Sequence, residues 1–271
     1  MSVNHRLMPS LDLLQRILAV DLSYTVSRLK VLESIPGNPM GVGYRWVDDT
    51  TVGLMSCRLP AFNRVIGLRA GHERHLKSLC DWYREHNVEP TFEIVPGMFD
   101  ASLGRELARL GFFQSGFHAA MIVEPHQIAS VESQIQIERV LTSELMEQFL
   151  DAYVAGWGVA EQYHSQFKAN VRPWFGRAGW SLYLAMADGR PAATAILYVH
   201  ERVGYLADAA TDPSFRRQGL QLALIRRRIR DAEAAGVDFV FSGAHLLGSS
   251  HRNMERAGMR LQFLRAKWTP T

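Results

Sequence analysis

Two periods of apolar residues alternate along this chain, one helical and one extended, and they do so in two similar rounds. In the first round Leu11, Leu14, Ile17 and Leu18 make one helical stripe, and Leu22, Val26 and Leu29 make another; this is the spacing of amphipathic helix. Pro36-Gly37-Asn38-Pro39 ends that region. Residues 43–47 and 51–59 read as strands about an Asp48-Asp49 turn, with residues 63–67 a third short strand. A helix follows over residues 72–85, with Leu76, Leu79 and Tyr83 inward. Residues 91–95 form a strand stopped by Pro96-Gly97. Asp100 then caps a helix ending at Gly111, and residues 112–123 make one or two strands.

The second round repeats the plan. Residues 134–139 read as a strand, and Ser143 caps a helix with Leu145, Phe149 and Tyr153 on one side. A second helix covers residues 161–175. Residues 180–187 and 192–200 pair as a hairpin about Asp188-Gly189. A small-residue strand runs from Gly204 through Ala207, Ala209, Ala210 and Thr211 until Asp212-Pro213 breaks it. Leu222, Ile225, Ile229 and Ala232 mark a helix that stops at Gly236. A buried strand over 239–241, a short helix over 250–257 closed by Gly258, and a last strand over 259–268 complete the chain. The gap between Gly97 and Gly243 is 146 residues, and that between Gly111 and Gly258 is 147. A near-constant offset is the mark of a duplicated domain. The polar stretch over 124–133 is the expected boundary, dividing the chain into domains 1–127 and 128–271.

Between the small-residue strand and its helix lies Arg216-Arg217-Gln218-Gly219-Leu220-Gln221. A helix start leaves backbone N–H groups without intrahelical partners and carries a partial positive charge. A loop running straight into it aims those groups at one spot, a natural seat for phosphate. Gly219 lets the backbone approach a ligand closely, and Arg216 and Arg217 add charged donors. A diphosphate suits such a site. Arg216-x-x-Gly219-x-Gln221, with Pro213 three residues ahead, resembles the Arg/Gln-x-x-Gly-x-Gly/Ala loop of the GNAT superfamily of acyl-CoA-dependent N-acyltransferases. Gln221 departs from the family's small final residue.

The resemblance implies an α/β (α+β) fold of tandem GNAT-like domains, each a mixed, mostly antiparallel sheet flanked by helices. The first-half counterpart of the loop, near Leu68-Arg69-Ala70-Gly71-His72, lacks the paired arginines, so the N-terminal domain reads as a degenerate copy that helps form the acceptor cleft. Acetyl-CoA is the implied co-substrate. Its diphosphate would lie on backbone N–H groups of Arg217, Gln218, Gly219, Leu220 and Gln221 beside Arg216, and its pantetheine arm along Ala209, Ala210 and Thr211, between splayed strands. Asn253 or Ser250 would bond the arm. An amine, small-molecule or peptide, would attack the thioester. The family often places a proton-donating Tyr where this chain has Met254. Asp208, Ser250 and His251 are the remaining proton-handling candidates, with Glu161 and His164 further off, and the residues do not choose among them. The rival reading is a non-catalytic acyl-CoA-binding or regulatory protein, motivated by Met254.

Composition adds bounds. The chain has 271 residues, 47% hydrophobic and 21% charged, with a net charge of +3. That supports large buried cores and an anionic ligand. The run Arg226-Arg227-Arg228-Ile229-Arg230 reads mostly as a wet helix face, and no interleaved aromatics point to nucleic acid. No apolar run nears the roughly 18 residues of a membrane span, and the leading residues 1–6 do not open a signal peptide. Cys57 and Cys80 form no paired motif, which fits a cytoplasmic setting. His72-Glu73-Arg74-His75 offers no third ligand, so no metal is expected. A homodimer stays open.

Overall fold

The computed structural model describes residues 7–128 and 133–271; the readings placed on residues 1–6 and on 129–132 of the boundary stretch lie outside the described residues. The elements run α1 (Leu11–Glu33), β1 (Val42–Asp48), β2 (Thr51–Ser56), β3 (Arg64–Ile66), α2 (Glu73–Glu85), β4 (Thr91–Ile94), α3 (Ala101–Arg109), β5 (Phe112–Val123), β6 (Ile137–Arg139), α4 (Ser143–Gly156), α5 (His164–Val171), β7 (Trp180–Ala187), β8 (Arg190–His200), β9 (Val203–Thr211), α6 (Leu220–Ala234), β10 (Phe239–His245), α7 (Ser249–Arg256) and β11 (Arg260–Pro270). They divide into two compact units: an N-terminal one of Ser10–Ala120 with Leu261–Thr271, and a C-terminal one of residues 7–9 with Met121–Arg260. The sequence reading assigned the last strand to the second half. Its partners decide otherwise: Ala266, Lys267 and Trp268 of β11 pair antiparallel with Ile94, Glu93 and Phe92 of β4.

In the N-terminal unit β1 and β2 pair antiparallel, β2 and β3 antiparallel, and β3 and β4 parallel. Leu76, Leu79, Tyr83, Leu103 and Leu107, from α2 and α3, bury against Phe92 and Val65. The two stripes near the start form one 23-residue helix, α1, capped where Ser10 Oγ accepts the Leu13 N–H. Its buried face carries charge. Arg265 Nη1 lies 2.6 Å from Asp21 and 2.5 Å from Glu93, and Arg64 Nη1 lies 3.0 Å from Glu93. Burial pushes the Glu93 carboxyl up, but Arg64 and Arg265 overcome it and hold it well below its ordinary range.

In the C-terminal unit β6 to β9 run antiparallel and β9 pairs parallel with β10. The β7–β8 hairpin turns on Asp188 and Gly189, both with positive φ (50° and 71°), the geometry that matches strand twist. Thr142, one residue before the expected Ser143, is the N-cap of α4, its hydroxyl accepting from the Leu145 N–H. The long helix expected over 161–175 is instead a short α5 between two 3₁₀ turns, the second carrying Pro173, which removes a donor.

The expected wet face of α6 needs a correction at Arg228, which is 1% exposed. Its guanidinium donates to Leu224 O, to Ile196 O of β8 at 2.8 Å and to Ala207 O of β9 at 3.2 Å. The β8–β9 register breaks at the same place: Ile196 opposes Ala207 but Thr194 opposes Ala210, so Ala195 faces both Asp208 and Ala209. That is a β-bulge, and Arg228 satisfies a carbonyl on each strand beside it.

Candidate functional site

The site is a cleft of about 800 Å³ in the C-terminal unit. Three local features build it. The first is the loop before α6. The Asp212 carboxylate accepts the Ser214 N–H at 2.8 Å, closing a turn at Pro213, and buried Phe215, under the Arg190 guanidinium, pins it down. The chain then takes positive φ at Arg217 (66°) and at Gly219 (82°), with Gln218 between them outside that region. Alternating φ signs curl successive N–H groups towards one point. A positive φ is easy for glycine and strained for arginine.

The α6 start is uncapped. Gly219 supplies no side chain, no acidic residue stands in the first turn, and the first helical bond is Ala223 N–H to Gly219 O. Among the described residues the N–H groups of Arg217 to Leu222 have no acceptor. The starts of α1, α3 and α4 are closed by Ser10, Asp100 and Thr142, while those of α2, α5 and α7, like that of α6, carry no side-chain cap. Leu220 and Gln221, expected in the loop, form the first helical turn.

The second feature is the opening between β9 and β10. Their pairing covers only Val203, Gly204 and Tyr205 against Phe239, Val240 and Phe241, whereas β9 runs on to Thr211 and β10 to His245. Ser242 Oγ donates to Leu206 O just past the last pair. Beyond it the bulge at Asp208 (φ 39°) turns β9, and Ala209, Ala210 and Thr211 line the cleft. Gly156 of α4 abuts them: a Cβ there would sit 2.9 Å from the Ala210 Cβ. Trp157 follows, half exposed at the rim.

The third feature is α7. Gln221, the residue that departs from the expected small side chain, joins α6 to it: its Nε2 donates to Ser250 Oγ and its Oε1 accepts from Asn253 Nδ2, each at 2.7 Å. No helical or strand periodicity signals that link.

The structure thus brings Ala209, Ala210, Thr211, Arg216, Arg217, Gly219, Leu220, Gln221 and Asn253 around one cleft. Gln218 and Ser250 stand beside its lining residues without being among them, though Ser250 is tied in through Gln221. Asp208 is half-buried at the bulge. His251 turns into the protein: it is 4% exposed, does not line the cleft, and among the described residues neither ring nitrogen has a hydrogen-bond partner, Nδ1 standing 3.6 Å from the Glu255 carboxylate. Met254 is likewise buried, since residues 251 and 254 share the inner face of α7. Of the outlying candidates, His164 bonds Val159 O at 2.7 Å and Glu161 starts a surface 3₁₀ turn. Among the described residues no group of three or more His, Cys, Asp or Glu is placed to hold a metal ion, and no helix is long and apolar enough to cross a membrane.

Comparison with known proteins places this geometry. Residues 127–246 match the acetyltransferase (GNAT) domain. No curated protein matches the chain in sequence. Among solved structures, a GCN5-related N-acetyltransferase from Kribbella flavida superposes with a TM-score of 0.67 at 17% identity, over 94% of this chain and 95% of that one. A tandem GNAT protein from the clavulanic acid biosynthesis pathway gives 0.58 at 13% identity, over 97% of each. A GCN5-related N-acetyltransferase from Sphaerobacter thermophilus gives 0.58 at 14%, over 94% and 90%. These superpositions establish a shared fold: mixed α/β, with mostly antiparallel strands flanked by helices.

Proposed function

We propose that this protein moves an acetyl group from acetyl-CoA to an amine, small-molecule or peptide, and that its N-terminal unit is a degenerate copy of the GNAT domain that residues 127–246 match. The observation that carries the reading is the uncapped, curled start of α6, whose N–H groups from Arg217 to Leu222 lack acceptors. A diphosphate supplies the missing acceptors and the favoured charge. The opening between β9 and β10 is the natural path for the arm of the same coenzyme, along the backbone of Ala209 and Thr211 and beside Asn253.

When bound, the coenzyme supplies an activated thioester. The protein's part is to bind it, orient it and handle two protons. A carbon–nitrogen bond forms as the carbon–sulfur bond breaks; the amine loses one proton and the departing thiolate gains one. We assign Asp208, at the bulge beside Ala209, to take the first, and Ser250, next to the cleft wall, to deliver the second. His251 faces inward and receives a packing role. Arg228 holds the bulge that presents this part of β9. The two free cysteines suit a cytoplasmic setting.

Buried Met254 at the position of the family's usual acid favours one rival: a protein that binds acyl-CoA without turning it over. Following thiol release from acetyl-CoA against a panel of amines separates the two. Release on any acceptor supports the transferase; tight binding with no release on any of them supports the rival.

A further inference from the structure

The cleft holds more cationic charge than a diphosphate needs. Arg216 and Arg217 stand at the loop, and Arg252 and Arg256 stand on α7. Ser249, Arg252, Asn253 and Arg256 follow at i, i+3, i+4 and i+7, so one face of the helix looks into the cleft. No Asp or Glu lines the cleft, and none of these four arginines has a carboxylate partner among the described residues. Four other arginines of the same unit do have a carboxylate partner: Arg227 with Asp231, Arg202 with Asp238, Arg172 with Glu147 and Arg260 with Glu124. Four like charges around one concavity repel one another unless an anion joins them.

Arg256 is also pre-set. Arg256 Nη1 donates to Asn253 Oδ1 at 3.0 Å, Asn253 donates to Gln221, and Gln221 donates to Ser250. Arg226 of α6 donates to the Arg256 carbonyl at 3.3 Å. This chain of bonds fixes the spacing between the α6 start and the arginine face of α7, and it makes Gln221 a positioning residue.

We propose that Arg252 and Arg256 form a second anion subsite that takes a phosphate monoester carried by the same ligand whose diphosphate sits on α6; the inference rests on the acyl-CoA reading and deepens it. The group meant is the 3′-phosphate on the ribose of coenzyme A. It is close to dianionic at neutral pH and suits forked guanidinium donors. The protein therefore selects the 3′-phosphorylated coenzyme over its dephosphorylated form.

Calorimetric titration of the full-length protein with CoA and with 3′-dephospho-CoA tests this. The wild type should bind CoA at least about tenfold more tightly, the effect of one or two charge-assisted contacts. Arg252→Ala/Arg256→Ala should bring the two affinities within about twofold, while Arg252→Lys/Arg256→Lys, keeping the charge, should retain most of the difference. Thermal melting shows that each variant is folded. Equal wild-type affinities, or a preference that survives the double alanine change, overturn the subsite and leave the acyl-CoA reading standing. Binding of neither compound overturns both.

Discussion

Two helix starts, that of α6 in the C-terminal unit and that of α2 in the N-terminal unit, are treated in opposite ways. In the C-terminal unit the N–H groups from Arg217 to Leu222 have no acceptor among the described residues. In the N-terminal unit the loop before α2 is closed upon itself: Ala70 N–H donates to Met98 O at 2.8 Å, His72 N–H to Arg69 O at 3.1 Å, and Gly71 N–H to the Glu73 carboxylate at 3.1 Å. Glu73 is itself held by Ser102, whose hydroxyl bond pulls its pKa down. The carboxylate stands two residues after its glycine, as Gln221 stands two after Gly219.

Charge follows the same division. Arg69 of the first loop is tied to Asp48 at 2.6 Å, and Arg64 and Arg265 are tied to Asp21 and Glu93, whereas the cleft arginines of the second unit have no carboxylate partner among the described residues. A helix start that carries its own carboxylate thus has no need of an external anion, whereas one without such a group is open to one.

The sharpest way to break this contrast is to transplant the plug. Gln221→Glu places a carboxylate two residues after the loop glycine, as Glu73 is in the first unit; it still accepts from Asn253, and the bond to Ser250 reverses so that the hydroxyl donates. Affinity for CoA should fall several hundredfold, about 3–4 kcal/mol, by charge repulsion and competition for the amides; calorimetry showing less than about a threefold loss would contradict the contrast.

Next comes the paired charge of the first unit. Glu93→Gln leaves Arg64 and Arg265 under-compensated and should lower unfolding stability by about 3 kcal/mol in urea titrations at neutral pH. Because the folded-state pKa of Glu93 lies below its ordinary 4.5, its contribution is complete above that pH and fades as pH falls beneath it. The gap between wild type and variant should therefore narrow in acid; a constant gap rules out the paired carboxylate as its source.

A slightly smaller loss, about 2–3 kcal/mol, is expected for Arg228→Met, which leaves the Ile196 and Ala207 carbonyls without their donor at the bulge. Stability unchanged within about 0.5 kcal/mol would remove Arg228 from that role. Least affected should be Arg69→Ala. Its pair with Asp48 is 41% and 30% exposed, so a change near 0.5 kcal/mol is expected in the same titration; a loss of several kcal/mol would mean that the loop closure carries the unit.

Much of this was legible in the sequence because it is local. Leu222, Ile225, Ile229 and Ala232 announced α6, Asp188-Gly189 its hairpin turn, and Gly219 beside two arginines the curled loop. What escaped depends on contacts distant in sequence. Arg228 sits in an arginine run that looks solvated, and only β8 and β9 folding over it reveal two carbonyls to satisfy. His251 looked available beside Ser250, yet the helical phase of α7 turns it inward with Met254. The last strand looked like part of the second half until its register with β4 placed it in the first. Glu73 carried no loop signature at all, because its effect lies in one hydrogen bond to Gly71.

The most direct measurement is the stoichiometry of CoA binding to the whole chain by calorimetry. The account predicts one equivalent per chain, lost in Gln221→Glu. Two equivalents would mean that the first loop is not plugged, and no detectable binding would mean that the open α6 start is not a coenzyme seat.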